Sequence, residues 1–262
     1  MSESQSPRGW AVALFRRSAL KQKKLAEVVA MLGPTAGLRC LDLGSDNGVV
    51  SLLLRERGGD WASGDLTAEA VASIRSLVGA DVHLVRGDHL PFPDASFDKV
   101  AVVDMLEHVP DEVAFAAELA RVTRPGGRLV VNTPHMKRTL LRRARHALGQ
   151  TDEKHGHLRP GYTKERLSEL LSPAFDVERH RTYSRFFSEA TDIAVNWGLE
   201  RLGKGPSAKG MVVTGDDLVR HRKTFRAYSF VYPAVWVVTR LDALVPASGY
   251  MLVASFRRRR AI

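Results

Sequence analysis

The sequence predicts an α/β protein built on a doubly wound, mostly parallel seven-stranded sheet, and three observations predict it. A short apolar strand carrying Asp42 runs through Gly44-Ser45-Asp46-Asn47-Gly48 into an apolar helix that begins at Val49. Apolar runs of strand length then alternate with helical patterns as far as Asn132, the rhythm of parallel βαβ units. The chain of 262 residues is 44% hydrophobic, enough to bury one substantial core.

Residues 1–9 are polar and read as a disordered tail. Trp10 to Leu32 has helical spacing, with Leu14, Leu20, Leu25, Val28, Val29 and Leu32 apolar and Arg16, Arg17, Lys21, Lys23 and Lys24 basic, until Gly33-Pro34 stops it. Lys24 to Leu32 reads as a helix lying across the sheet. Trp10 to Arg17 reads either as its continuation or as a membrane-interface helix. Strands are expected at 38–43, 60–65, 82–86, 97–104 and 128–132, with helices at 48–57, 67–78 and 111–122 and a turn at Arg124-Pro125-Gly126-Gly127. Beyond Pro134 the rhythm breaks into a basic helix (136–148), a turn-rich segment (155–162), a capped helix (163–171) and a strand (175–183). The expected organisation is a core over 10–183 with a basic insertion at 135–160, a helical cap over 184–248, and a last strand with a basic tail over 249–262.

The net charge of +10 suits an anionic partner such as nucleic acid, a phospholipid surface or a phosphorylated ligand. The single cysteine, Cys40, falls inside the first strand, which excludes an internal disulfide, argues against thiol catalysis and agrees with a reducing cytoplasm. The N-terminus lacks an apolar signal core and no run reaches spanning length, so the expectation is a cytoplasmic protein with peripheral membrane attachment left open.

A strand that stops in a glycine turn and passes into a helix points backbone N–H groups and a positive helix end at one spot above the carboxyl ends of the strands. Gly44–Gly48 lacks the three glycines of the dinucleotide fingerprint, which disfavours a nicotinamide enzyme. The second strand nevertheless ends in Asp65, some 20 residues after the turn, where a carboxylate can accept both hydroxyls of a ribose. Together they point to an adenosine-type ligand.

Leu41-Asp42-Leu43-Gly44, Gly64-Asp65-Leu66, Gly87-Asp88 with Leu90 to Asp98, Leu106-Glu107-His108-Val109-Pro110-Asp111 and Arg124-Pro125-Gly126-Gly127 resemble, in order, the motifs of class I S-adenosylmethionine-dependent methyltransferases. The group resembled is the broad one that includes the ubiquinone and menaquinone biosynthesis methyltransferases, over about Lys24 to Tyr183. The resemblance implies a Rossmann-like fold, S-adenosyl-L-methionine as cofactor, and roles for matched positions. Asp42 and the Gly44, Ser45, Asn47 and Gly48 turn would hold the methionine portion and Asp65 the ribose. Asp88 would meet the adenine amine with Leu66 and His89 beside the ring, and Asp104 would face the meeting point of cofactor and acceptor. Asp46 stands where that family has a middle glycine, and reads either as a carboxylate for the cofactor's amino group or, the preferred reading, as a cap of the following helix.

Methyl transfer needs an in-line nucleophile and exclusion of water, and a general base only for a weakly acidic acceptor. Base candidates are His155, His157 and Tyr162, with His108 and His135 behind them; each histidine also reads as a structural or solvated residue. Metal binding by them is not expected, because no acidic or thiol cluster accompanies them in sequence. The fourth strand runs into Val103-Asp104-Met105-Leu106 instead of Asn/Asp-Pro-Pro-Tyr, which argues against adenine-amine or glutamine-amide acceptors. The absent nucleophilic cysteine argues against cytosine C5. Phe225 to Val238 is rich in aromatic and branched residues and flanked by Arg222, Lys223 and Arg240, so it reads as a packed cap helix or as a surface for a lipid-like acceptor beside anionic headgroups. The basic helix at 136–148 lacks interleaved aromatics, which places a small-molecule or lipid-like acceptor above nucleic acid.

Overall fold

The computed structural model describes residues 7–79, 81–137, 139–152, 154, 156–201 and 229–260. The expected tail over 1–6, His155 and residues 202–228 of the expected cap lie outside the described residues. In chain order the elements are α1 (Pro7–Phe15), α2 (Ala19–Leu32), β1 (Arg39–Leu43), α3 (Val49–Arg55), β2 (Asp60–Asp65), α4 (Ala68–Val78), β3 (Val82–Leu84), β4 (Phe97–Val103), α5 (Glu112–Val122), β5 (Thr123–Pro134), α6 (Leu140–Ala147), α7 (Lys164–Leu171), β6 (Phe175–Tyr183), α8 (Phe186–Arg201) and β7 (Met251–Arg258), with residues 229–240 also helical.

The sheet has seven strands in the order β3-β2-β1-β4-β5-β7-β6. β1 to β5 are parallel to their neighbours, while β7 runs antiparallel to both β5 and β6. The order reverses between β1 and β4, and that switch point opens a crevice at the carboxyl edge of the sheet. Period-two alternation serves both layers of core. Leu41, Leu43, Val100, Val102, Leu129 and Val131 pack under α5 and α7 with Phe115 and Leu167. Cys40, Ala101, Val103 and Val130 face the other way, under α1 and α2, with Phe15, Val28 and Leu32. Burial pushes the Cys40 thiol up to about 12, so it is an inert core residue.

Several boundaries differ from the sequence reading for visible reasons. The continuous helix expected over 10–32 is two helices, broken where the Ser18 hydroxyl accepts from Lys21 N–H and caps α2. Residues 7–9 belong to α1, not to a tail; Trp10 is buried and Ala11 and Phe15 pack in the second core layer, which removes the membrane-interface reading of this helix. Arg124 to Gly127 stay within the long β5, where Gly126 takes φ 78° and the register slips between Phe97↔Thr123 and Lys99↔Arg128. The basic helix is shorter than expected because an isolated bridge between His135 and Tyr162 holds its approach extended. Of the terminal arginines, Arg257 and Arg258 belong to β7, and Arg257 pairs with Glu178 at 2.6 Å and Arg259, just beyond the strand, with Asp176 at 2.9 Å.

Candidate active site at the carboxyl edge

The turn after β1 is shaped by two glycines that nothing else could replace. Gly44 takes φ 84°, and a Cβ there would lie 2.2 Å from the Val103 carbonyl oxygen. Gly48 takes φ 82°, and its Cβ would stand 2.6 Å from Ile74 Cα. Gly44→Ala therefore has to displace the end of β4. It is expected to lower the melting temperature by several degrees and to abolish ligand binding at the turn, read by thermal unfolding and calorimetry.

Between them Asp46 takes φ 56°. The left-handed backbone explains why glycine suits this position and why aspartate, one of the few side chains that tolerate it, stands there instead. The cap expected from Asp46 is supplied by its neighbours. Val49 N–H donates to Asn47 Oδ1 at 3.3 Å and Ser51 N–H to Ser45 Oγ at 2.9 Å, whereas Asp46 N–H donates to Asp65 Oδ2 at 3.2 Å.

Asp42 lies beneath the turn instead of facing it. It is 1% exposed, and its oxygens accept from Ser51 Oγ, from Ser63 Oγ at 2.8 Å and from Arg55 at 3.3 Å. Direct contact with a ligand, as expected of Asp42, is replaced by support: the network ties the turn to α3 and β2. Asp65 is the carboxylate at the crevice. Leu66 N–H donates to its Oδ1 at 2.8 Å, and burial raises its pKa from 3.8 to about 6 against those backbone donors. Leu66 packs half-buried on the core beside it. Asp88 and His89 are exposed on the turn after β3, with His89 Nδ1 3.7 Å from Glu118.

Asp104 leaves the end of β4 at φ 48°. Its Oδ1 accepts from Asn132 Nδ2 at 2.7 Å, Asn132 Oδ1 accepts from the Tyr183 hydroxyl, and its Oδ2 pairs with Lys24 Nζ. Lys24 is a site residue that the sequence reading left as part of a basic face. Helical spacing held the signal, since Lys24 shares one stripe with Val28 and Met31 at i+4 and i+7. Its pKa is raised because attraction to Asp104 outweighs the large penalty of burial. One turn earlier, Lys21 is pulled below the usual lysine value by its crowded surroundings, with Asp46, Asp104 and Asp192 opposing the shift. Its side chain is exposed to solvent on α2.

The base candidates separate. Tyr162 is 1% exposed and donates to Glu112 Oε2 at 2.6 Å. Burial and the Glu112 charge hold its pKa far above the ordinary range, which corrects its candidacy as a base. His135 Nδ1 lies 2.9 Å from the Gly249 carbonyl, and burial lowers its pKa. His157 is brought to Glu107 and His108, with a ligating atom of each within 4.8 Å of the others. The His108 Nδ1–H faces the Gly156 carbonyl at 2.8 Å, leaving Nε2 as the ligating nitrogen. The expectation that no acidic group accompanies these histidines is thereby corrected. Glu107 supplies one, and two imidazoles with a carboxylate are a donor set suited to a divalent cation or to proton transfer. Two surface grooves, of about 520 and 320 Å³, lie away from this edge, beside α5 and α7 and at the opposite end of the sheet.

Residues 41–131 match the family described as "Methyltransferase domain". A demethylmenaquinone methyltransferase of Mycobacterium sp. (strain KMS) is 42% identical over 107 residues, which are 40% of this chain and 45% of that protein. A ubiquinone biosynthesis O-methyltransferase of Xanthomonas axonopodis pv. citri (strain 306) is 36% identical over 121 residues, 44% of this chain and 50% of that one. The chain thus spans about half the length of the curated relatives it matches. Among solved structures, an S-adenosylmethionine-dependent methyltransferase from Mesorhizobium loti superposes with a TM-score of 0.55 at 18% identity, covering 89% of this chain and 96% of that one. The [4+2]-cyclase SpnF superposes with a TM-score of 0.59 at 17% identity, covering 92% and 82%. At these identities the likeness is one of fold, and the cyclase shows that the fold alone does not fix a reaction.

Proposed function

We propose that this chain, which carries a class I S-adenosylmethionine-dependent methyltransferase domain, transfers a methyl group from that cofactor to a quinol-type acceptor of small-molecule or lipid-like character. The observation that carries the reading is the Asp65 carboxylate, held at the crevice beside the Gly44–Gly48 turn. The residues fit the cofactor. Glycine at 44 and 48 lets the turn pack directly on Val103 and Ile74, Asp65 can accept two ribose hydroxyls, and Asp46 and Asp104 put negative charge where a sulfonium would sit. Ser45 and Asn47 hold the turn in shape, while Leu66, Asp88 and His89 line the adenine end.

When bound, the cofactor would supply an electrophilic methyl group to an oxygen lone pair or a ring π pair of the acceptor, with the sulfur–carbon bond breaking and one acceptor proton lost. The chain's own contribution is orientation, exclusion of water by α2 and the elements above it, and a proton sink. His157 beside Glu107 is the proposed sink, with His108 next to it. A quinol hydroxyl or ring carbon fits a neutral histidine as base at pH 7. The 184–248 region, of which α8 and helical residues 229–240 are described, is the proposed acceptor-side cap. Gln22 donates to the Tyr232 hydroxyl at 2.6 Å, fixing that helix to α2.

The same helix exposes Phe230, Val231, Trp236, Val237 and, just beyond it, Leu244, with the Arg240 guanidinium over the Trp236 ring at 4.2 Å. That combination supports peripheral contact with the cytoplasmic face of an anionic membrane, where a lipid-linked acceptor resides. No described helix is long and apolar enough to cross a membrane. Co-sedimentation with vesicles containing phosphatidylglycerol is expected, with loss of binding for Phe230→Ser together with Trp236→Ser; equal recovery with neutral vesicles would remove the charge argument.

The deciding test is two-stage. Calorimetry with S-adenosylhomocysteine should give micromolar binding, and radiolabelled S-adenosylmethionine should then label reduced demethylmenaquinone. Binding without labelling of any quinol would favour a non-catalytic scaffold, and labelling of RNA instead would make it an RNA methyltransferase.

A further inference from the structure

The carboxyl edge of the sheet continues past Asp104 to the ends of β6 and β7, where the Tyr250 hydroxyl is buried with no hydrogen-bond partner among the described residues. Tyr250 N–H donates to the Ser184 carbonyl at 2.9 Å, which sets the two residues opposite each other. Ser184 takes φ 56°, and its hydroxyl is likewise buried without a partner among the described residues. Two orphan hydroxyls on facing residues are costly, about 1–3 kcal/mol each when nothing accepts or donates, and buried groups of this kind call for a specific explanation.

Their surroundings supply one. The Arg145 guanidinium of α6 lies 5.5 Å from the centre of the Tyr250 ring and pairs with Asp192 of α8 at 2.7 Å. Burial, and after it the Asp192 charge, pushes the Tyr250 hydroxyl well above its ordinary pKa, so it stays protonated and can only be a neutral donor or acceptor. Asp192 also acts electrostatically on Lys21 and Lys24, and Tyr183, which reaches Asp104 through Asn132, acts on Tyr250. In the strand order β2-β1-β4-β5-β7-β6, Tyr250 and Ser184 stand at the ends of β7 and β6, at the same edge of the sheet as Asp104 and on the side away from Asp65.

We propose that Tyr250 and Ser184, backed by the Arg145–Asp192 pair, form the acceptor-binding wall, with the two hydroxyls hydrogen-bonding the oxygens of a planar hydroxy-carbonyl ring. The inference rests on the methyltransferase reading for the identity of the neighbouring ligand. The donated Tyr250 proton meets a carbonyl or phenolate oxygen, and the guanidinium above its ring favours a ring system bearing partial negative charge. Tyr250 and Ser184 act here in binding and specificity.

The test is calorimetric titration of protein saturated with S-adenosylhomocysteine, using 2-hydroxy-1,4-naphthoquinone as probe. Wild-type protein binds it. Tyr250→Phe weakens it by about tenfold while leaving melting temperature and S-adenosylhomocysteine affinity unchanged, and Ser184→Ala shifts it in the same direction. Unchanged probe affinity in Tyr250→Phe overturns the inference, as does a loss of several degrees in melting temperature, which would give the hydroxyl a structural role. Failure of the wild type to bind the probe while binding S-adenosylhomocysteine overturns the wall and leaves the methyltransferase reading standing. Failure to bind S-adenosylhomocysteine overturns both.

Discussion

Affinity for S-adenosylhomocysteine is expected to be flat from pH 8 to about pH 6.5 and then to fall, approaching tenfold per pH unit below pH 6. The cause is Asp65, whose carboxyl is raised from 3.8 to about 6 because burial penalises its charge more than the Leu66 and Asp46 amides relieve it. Two ribose hydroxyls need the ionised form as acceptor, so protonation competes with binding. The linkage runs the opposite way for folding. A folded-state pKa above the unfolded value contributes stability below about pH 4 that is lost as pH rises through 6, so the free protein carries a cost at neutral pH that the ligand offsets. Binding near pH 6 should accordingly release protons, measurable as a dependence of the binding enthalpy on the ionisation heat of the buffer. Asp65→Ala removes two charge-assisted acceptors and is expected to weaken binding a hundredfold or more. Affinity that stays level to pH 5, or within threefold of wild type in Asp65→Ala, would remove the ribose assignment.

Lys24→Met is expected to lower stability by about 2 kcal/mol, near 5 °C in melting temperature for a protein of this size, and to eliminate methyl transfer. Removing one partner of a largely buried pair leaves an uncompensated charge, here Asp104, whose other oxygen is already held by Asn132. The figure sits below the full cost of a buried orphan because 25% of the Asp104 side chain remains exposed. Lys24→Met combined with Asp104→Asn should recover most of the stability and none of the activity, since the negative charge at the crevice is gone. A double variant no more stable than Lys24→Met alone would show that α2 packing, and not the ion pair, set the loss.

The two effects lie on opposite sides of the switch point, and both depend on strained backbone. Among the described residues, Asp46, Asp104 and Ser184 are three of the five non-glycine residues with positive φ, and all three stand at the carboxyl edge of the sheet. Such strain persists only where the surroundings over-determine it, and it concentrates at binding sites. Asp46 is the instructive case. As a change of residue type it looks like a lost glycine, but it keeps the left-handed turn and adds a carboxylate.

What the sequence by itself determined is whatever a local period or turn can encode. Alternation along β1, β4 and β5 assigned residues to the two faces of the sheet, as Cys40 against Leu41 and Val130 against Val131 show. The glycine turn, the helices beginning near Thr67 and Asp111 and the placement of Asp65 at the end of β2 were legible for the same reason. Only the tertiary structure decided which groups meet. Lys24 and Asp104 are 80 residues apart, and His108 and Gly156 are 48 apart. Tyr250 faces Ser184 only because β7 returns antiparallel beside β6. It also reversed two roles, sinking Asp42 beneath the turn and locking Tyr162 onto Glu112. A residue type and its neighbours in sequence fix which side of a strand or helix a group occupies. Its charge state and partners follow from burial and from crossovers, which bring distant segments to one edge.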